Sequence, residues 1–204
     1  MSRSMLMAAV VVMGTLGVSV PAGAEFNPGV QSRYDALGNI VEGPGATHYS
    51  SASAPNFTPI PREIVSFQGN YAPGTVVVKT AERRLYLVLG EGKALKYGIG
   101  VGRPGFAWAG QHTVTRKAEW PGWTPPPEMR RRQPHLPAYM AGGPENPLGA
   151  RAMYIGSTYY RIHGSNEPWT IGQAVSSGCF RMTNDDVTDL YERVRVGAKV
   201  VVIN

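Results

Sequence analysis

A mainly β domain with long turns is the fold class that this 204-residue sequence predicts, and three observations carry the prediction. Gly (25) and Pro (17) are abundant while charged residues make up only 17% of the chain, a mixture that suits a turn-rich sandwich or closed sheet better than a helical bundle. Short runs of β-branched and aromatic residues recur between turn residues, as at Val76-Val-Val78 and Val200-Val-Val-Ile203. One segment alone, near the C-terminus, carries a clear helical period. The apolar share, 43%, is enough for one sizeable core.

The elements follow in order. Arg3, the uncharged apolar run from Met5 to Val20, and Pro21 followed by Ala22-Gly-Ala24 predict an export signal over residues 1–24, cleaved after Ala24. An uncleaved membrane anchor is the alternative, although the run is short for a span. A lipoprotein is excluded, because lipidation needs a Cys just after the signal and the only Cys is 179. Residues 25–72, rich in Gly, Pro, Ser and Asn without apolar period, are expected to be an irregular arm or linker. The domain proper is expected over 73–204, with strands at 75–79, 84–89, 95–101 and 112–117. The stretch 119–149 reads as a long Pro- and Trp-containing loop, a length usually kept for function. Strands are expected to resume at 150–155 and 159–162. Thr183 and Asp186 have capping-box spacing, and Val187, Leu190, Tyr191 and Val194 share one helical face. Gly197 is expected to stop that helix before a last strand at 199–203.

The formal charge of +6, which becomes +5 once Arg3 leaves with the signal (20 − 1 − 14), draws an exported protein toward anionic polymers such as cell walls. Nucleic acid is excluded as a partner, since the charge is neither laid along a helix nor interleaved with aromatics. Arg130-Arg-Arg132 reads as a solvated loop face. No metal is expected, because no His, Cys or carboxylate pair has ligand spacing, and Asp185-Asp186 fits a helix N-terminus. His48, His112 and His135 are read as structural or idle.

A lone Cys in an exported chain is either buried and inert or kept for its chemistry. Two segments bear on the choice. Tyr160-Arg-Ile-His-Gly-Ser165 ends a strand at His163, and Val175-Ser-Ser-Gly-Cys-Phe-Arg181 delivers Cys179 on a small-residue turn sixteen residues later. A thiol needs an imidazole to become a nucleophile at neutral pH, and the imidazole can then protonate a leaving amine. The main-chain N–H groups of Gly178 and Cys179 are candidate oxyanion donors. Arg181 is a candidate for lowering the thiol's pKa or clamping a substrate carboxylate. Arg161 is expected on the opposite strand face from His163. Spacing alone does not separate a catalytic thiol from an inert one.

The pattern His163-Gly-Ser165, a gap, then Ser176-Ser-Gly-Cys-Phe-Arg-Met-Thr-Asn184 resembles the signature of the L,D-transpeptidases, the YkuD-type catalytic domain. Arg84-Leu-Tyr-Leu87, Gly100-Val-Gly-Arg103, Trp123-Thr-Pro-Pro126 and Asn146-Pro-Leu-Gly149 resemble further family motifs in the same order, so the likeness covers roughly 73–204. Ser177 stands where the family usually has His, Ser165 where Thr is common, and Phe180 where a smaller aliphatic residue is usual.

The resemblance implies an L,D-transpeptidase-like β-sandwich and a cysteine-dependent acyltransferase of the periplasm or cell wall, without a cofactor. Cys179 would attack a peptidoglycan stem peptide, His163 would act as base and then acid, and a thioester would pass its acyl group to an amine. The product would be a 3→3 cross-link or a protein joined to peptidoglycan, so an outer-membrane protein or lipoprotein is a candidate acceptor. Ser165 is the candidate orienter of His163. Gly164, Ser177 and Trp123 join Arg181 as candidate substrate contacts, with Trp120 and Tyr139 as further loop aromatics for a lid or mere packing. The alternatives are an L,D-carboxypeptidase or other hydrolase of the same fold, and a non-catalytic wall-binding protein.

Overall fold

The computed structural model describes residues 57–204 and, before them, only the paired strands β1 (Arg33–Tyr34) and β2 (Ile40–Glu42). The expected signal, most of the expected arm and His48 lie outside the described residues. No helix among the described residues is long and apolar enough to cross a membrane.

Residues 63–203 are built on one nine-stranded sheet. Its strands are β3 (Glu63–Ser66), β4 (Val76–Lys79), β5 (Arg84–Gly90), β6 (Lys93–Gly98), β8 (Gly110–Glu119), β9 (Arg151–Ile155), β10 (Arg161–His163), β12 (Phe180–Arg181) and β13 (Lys199–Ile203). They run in the order β12-β10-β9-β8-β13-β4-β5-β6-β3, and β7 (Val101–Gly102) pairs separately with β11 (Ala174–Ser176). Strand alternation sorts the side chains. Val76, Val78, Leu85, Leu87, Val200 and Val202 enter the main core, whereas Val77, Tyr86, Val88 and Val201 form a smaller cluster on the other face with Phe67.

The long strand β8 turns this sheet into a sandwich. Its first residues, Gly110 to Thr113, pair with β13, and Val114 to Glu119 pair with β9 across an irregularity between Val114 and Arg116. Such a break bends a strand. Met153, Ile155, Ile162 and Phe180 from the second half of the sheet therefore share one core with Val76, Leu85 and Tyr97 from the first.

Helix α2 (Asn184–Arg193) closes one side, with Val187, Leu190 and Val194 buried as its period predicts. Its N-cap is Thr183, whose Oγ1 accepts from Asp186 N at 3.1 Å. Lys117 Nζ donates to Tyr191 O (2.5 Å) and Val194 O (2.8 Å), a cation on the carbonyl end of the helix. Tyr97, fully buried, fixes the helix flank by donating from its hydroxyl to Asp189 Oδ2 at 2.6 Å.

Three expectations change. The segment read as irregular supplies β3, an edge strand on β6. Its four residues sit among Pro and Ser, too few to show a period. The long loop contains a short helix α1 (Pro127–Arg132), with Pro at its start and the three Arg in its last turn, where the helix dipole favours cations. Helix α2 ends at Arg193 rather than at Gly197, because Val194 already takes an extended conformation.

Candidate active site

His163 and Cys179 are brought together by a parallel strand pair. In β10 and β12, Ile162 sits opposite Phe180 and His163 opposite Arg181. Ile162 and Phe180 are buried in the main core, so His163 and Arg181 face away from it. Two residues back from these, Arg161 and Cys179 fall on that same outer face. Arg161 was expected on the far face. That expectation fails because residues two apart in a strand share a face, and the guanidinium acts on both His163 and Cys179.

The imidazole is buried and neutral. Its Nδ1 lies 2.5 Å from Gly164 O, and a carbonyl only accepts, so Nδ1 carries the proton and Nε2 keeps its lone pair. Burial first, then the Arg181 charge, holds the ring down to a pKa of about 3, with Arg161 adding to the effect and Gly164 O opposing it. The orienter is thus Gly164 through its carbonyl. The hydroxyl of Ser165, a candidate for the same role through that hydroxyl or its backbone carbonyl, accepts from Glu167 N at 3.0 Å and shapes the next turn. Gly164 has no room for a side chain: a Cβ there would lie 2.3 Å from Asn184 Oδ1, which also accepts from Ala150 N at 2.9 Å.

Cys179 is half-buried, and its thiol points at Tyr159 O at 3.8 Å. Burial pushes the thiol's pKa up, against the lowering influence of Arg161 and then Arg181. The turn that presents it is stapled by Ser176, a buried residue. Ser176 Oγ donates to Cys179 O (2.6 Å) and accepts from Gly178 N (3.1 Å). Gly178 N–H, one of the two candidate oxyanion donors, is therefore already hydrogen-bonded in this conformation. Gly178 O accepts from Trp108 Nε1 at 2.8 Å, and the Trp108 ring stacks on Tyr160 with centroids 4.5 Å apart. Gly178 adopts φ +106°, and a Cβ there would lie 2.5 Å from Tyr160 Cε1.

The other candidates fall into place around this turn. Arg181 Nη1 ion-pairs with Glu167 Oε2 at 2.7 Å, so its charge is partly matched. Ser177 Oγ accepts from Arg103 Nη1 at 3.1 Å, and the Arg103 guanidinium lies over the Phe106 ring. This ties Gly100-Val-Gly-Arg103 to the cysteine turn. Trp123 bridges Met140 through two main-chain hydrogen bonds of 2.8 Å in the long loop, and these do not link it to His163 or Cys179. Tyr139 covers Gly122 in the same loop. The concavity lined by Phe67, Lys79, Glu82, Tyr86 and Lys96 belongs to the other half of the sheet and holds neither His163 nor Cys179.

Sequence reading passed over Ser176, Trp108, Glu167, Asn184 and the Tyr159 carbonyl. Ser176 and Asn184 lie inside the quoted signature, three residues before and five after the thiol, so a local hydrogen-bond inventory of small polar residues would have found them. Trp108 and Glu167 depend on long-range packing and left no local signal.

The family model for the L,D-transpeptidase catalytic domain, YkuD, matches residues 73–202 of this chain. The probable L,D-transpeptidase ErfK/SrfK of Escherichia coli strain K12 is 39% identical over 182 residues, covering 82% of this chain and 56% of that protein. The probable L,D-transpeptidase YbiS of the same strain is 39% identical over 138 residues, covering 63% of this chain and 44% of that protein. The chain thus spans about half the length of these curated relatives. A solved structure from Brucella melitensis, described as a probable carnitine operon oxidoreductase caia, is 48% identical, with 74% of this chain and 97% of that chain covered and a TM-score of 0.48.

Proposed function

Because this chain belongs to the L,D-transpeptidase catalytic-domain family, we propose that it is a cysteine-dependent acyltransferase acting on peptidoglycan stem peptides outside the cytoplasm. The observation that supports this most is the placement of Cys179 and His163 on one face of adjacent parallel strands, with His163 Nδ1 committed to Gly164 O and Nε2 left to take a proton.

The reaction runs in two halves. In the first, Cys179 Sγ attacks the carbonyl at the L-centre of the stem's diamino-acid residue while its proton passes to His163 Nε2. Neither group is charged at rest, since burial raises the thiol and lowers the imidazole, so the thiolate forms only as Nε2 takes the proton at the start of the reaction. The tetrahedral oxyanion is stabilised by Cys179 N–H. Collapse breaks the C–N bond, His163 returns its proton to the leaving amine, and D-alanine departs from a Cys179 thioester. In the second half an acceptor amine attacks the thioester, His163 takes its proton and gives it back to the sulfur. The acyl energy of the amide is kept in the thioester, so no nucleotide is consumed.

A stem-peptide amine as acceptor yields a 3→3 cross-link, and a protein amine yields a wall-attached protein. We favour the stem peptide and assign Arg181 and Glu167 to bracing the turn beside His163, since their charges are spent on each other.

The test is incubation of residues 25–204 with a purified disaccharide-tetrapeptide, followed by mass spectrometry of the products, beside Cys179→Ala. Two stems joined with loss of one D-alanine, absent from the variant, is the expected result. D-alanine release with no joined product would replace the transferase with a carboxypeptidase, and no release at all would overturn the catalytic reading.

A further inference from the structure

Two cations stand beside the thiol, and their partners distinguish them. Arg181 is matched by Glu167. Arg161 has no carboxylate partner among the described residues. Its Nη1 donates to Tyr159 O at 3.0 Å, the same oxygen to which Cys179 Sγ points at 3.8 Å. Its guanidinium lies over the Tyr154 ring at 5.2 Å, with Arg116 over that ring at 3.6 Å. Its Nε is buried and has no hydrogen-bond partner. A buried N–H with no acceptor is costly and rare in folded proteins. A neutral thiol is a weak acceptor, whereas a thiolate is a strong one.

We propose that Arg161 is the counter-cation of the Cys179 thiolate, and that Tyr159 O holds both groups in the resting state. The inference rests on the reading of Cys179 as nucleophile. At rest Tyr159 O accepts from the guanidinium and from the S–H. When the proton leaves Sγ for His163 Nε2, the sulfur has nothing to donate to Tyr159 O, and no covalent bond other than S–H is broken. The new negative charge then faces an unmatched guanidinium on the neighbouring strand, with an unused N–H available to it. The other charged or titratable groups around the thiol are His163, the Arg181–Glu167 pair, Arg103 on Ser177, and Tyr154 with Arg116 behind it. Of the influences that favour the thiolate, those of Arg161 come first. This assigns to Arg161 the role that the spacing of the motif suggested for Arg181.

The experiment is the rate of Cys179 alkylation by iodoacetamide against pH, followed by intact mass, in the wild type, Arg161→Gln, Arg161→Lys and Arg181→Gln. No substrate is used, so the result is independent of whether the chain transfers or hydrolyses stem peptides. Removing a cation next to the thiol is expected to raise the midpoint by about one pH unit and to slow alkylation at pH 7 about tenfold. Arg161→Lys keeps the charge and should stay within about threefold of wild type, and Arg181→Gln should move the midpoint less than Arg161→Gln. Arg161→Met keeps the aliphatic stem on Tyr154 and reports the same quantity if Arg161→Gln fails to fold. Superimposed profiles for wild type and the neutral variants, or a larger shift in Arg181→Gln, would overturn the proposal.

Discussion

Substituting Gly178 by Ala tests how tightly the cysteine turn is held. At φ +106° a side chain is strained whatever space it finds, at a cost of about 1–3 kcal/mol. Here there is no space. The new Cβ would lie 2.5 Å from Tyr160 Cε1 and 3.0 Å from Cδ1, with Phe106 O at 3.3 Å on another side. Ordinary contact begins near 3.4 Å, so the tyrosine ring must retreat by about 1 Å. That ring is stacked on Trp108, whose Nε1 holds Gly178 O, so moving it loosens the clamp on the residue preceding the thiol. Overpacking of this kind costs roughly 1–3 kcal/mol more, for a total of about 2–6 kcal/mol. At about 2–4 °C per kcal/mol for a chain of this size, the expected drop in Tm is on the order of 10 °C. Thermal unfolding by circular dichroism reads the stability, and iodoacetamide alkylation at a temperature where the variant is folded reads the turn. A Tm within about 2 °C of wild type, with unchanged alkylation, would refute the reasoning.

Ser176→Ala removes both staples of the same turn and leaves Cys179 O and Gly178 N–H without a partner, a loss of about 1–3 kcal/mol on urea unfolding. Ser176→Thr, which keeps the hydroxyl, should recover part of it. His163 makes stability depend on acidity: the folded ring stays neutral to about pH 3, whereas the unfolded ring binds a proton below about 6.5. The unfolded chain therefore gains protons that the folded one refuses, and stability falls as pH drops through that window. Between pH 6.5 and 4.5 the residue contributes a decline of up to roughly 3 kcal/mol, which His163→Gln should lack when the two urea curves are compared. Equal slopes in the two proteins would contradict a buried neutral ring.

Much of the scaffold was legible because it depends on local pattern. The valine runs of β4 and β13 and the Thr183 cap of α2 are written in a few adjacent residues. His163 and Cys179 were each singled out by the short motif around them, and the β10–β12 register places those two motifs on adjacent chain segments. What escaped depends on register and on who accepts from whom. Gly178 offers a free N–H on paper, and only the fold shows Ser176 Oγ in front of it. Ser165 has a hydroxyl suited to orienting an imidazole, yet it is Gly164 O that lies against Nδ1. Arg161 shares a face with His163 because residues two apart in a strand do, which the β10–β12 register makes plain. Strand β3 is only four residues long and gains its order by pairing with β6, a contact about thirty residues away in the chain.

The central claim is that Cys179 carries the acyl group. Intact-mass spectrometry of the protein, quenched in acid shortly after mixing with disaccharide-tetrapeptide in the absence of added acceptor, tests it most directly. The expected result is a transient adduct equal to the donor less D-alanine, mapped by digestion to the peptide containing Cys179 and absent from Cys179→Ala. Product formation with no such adduct at any time, or an adduct that persists in Cys179→Ala, would contradict it.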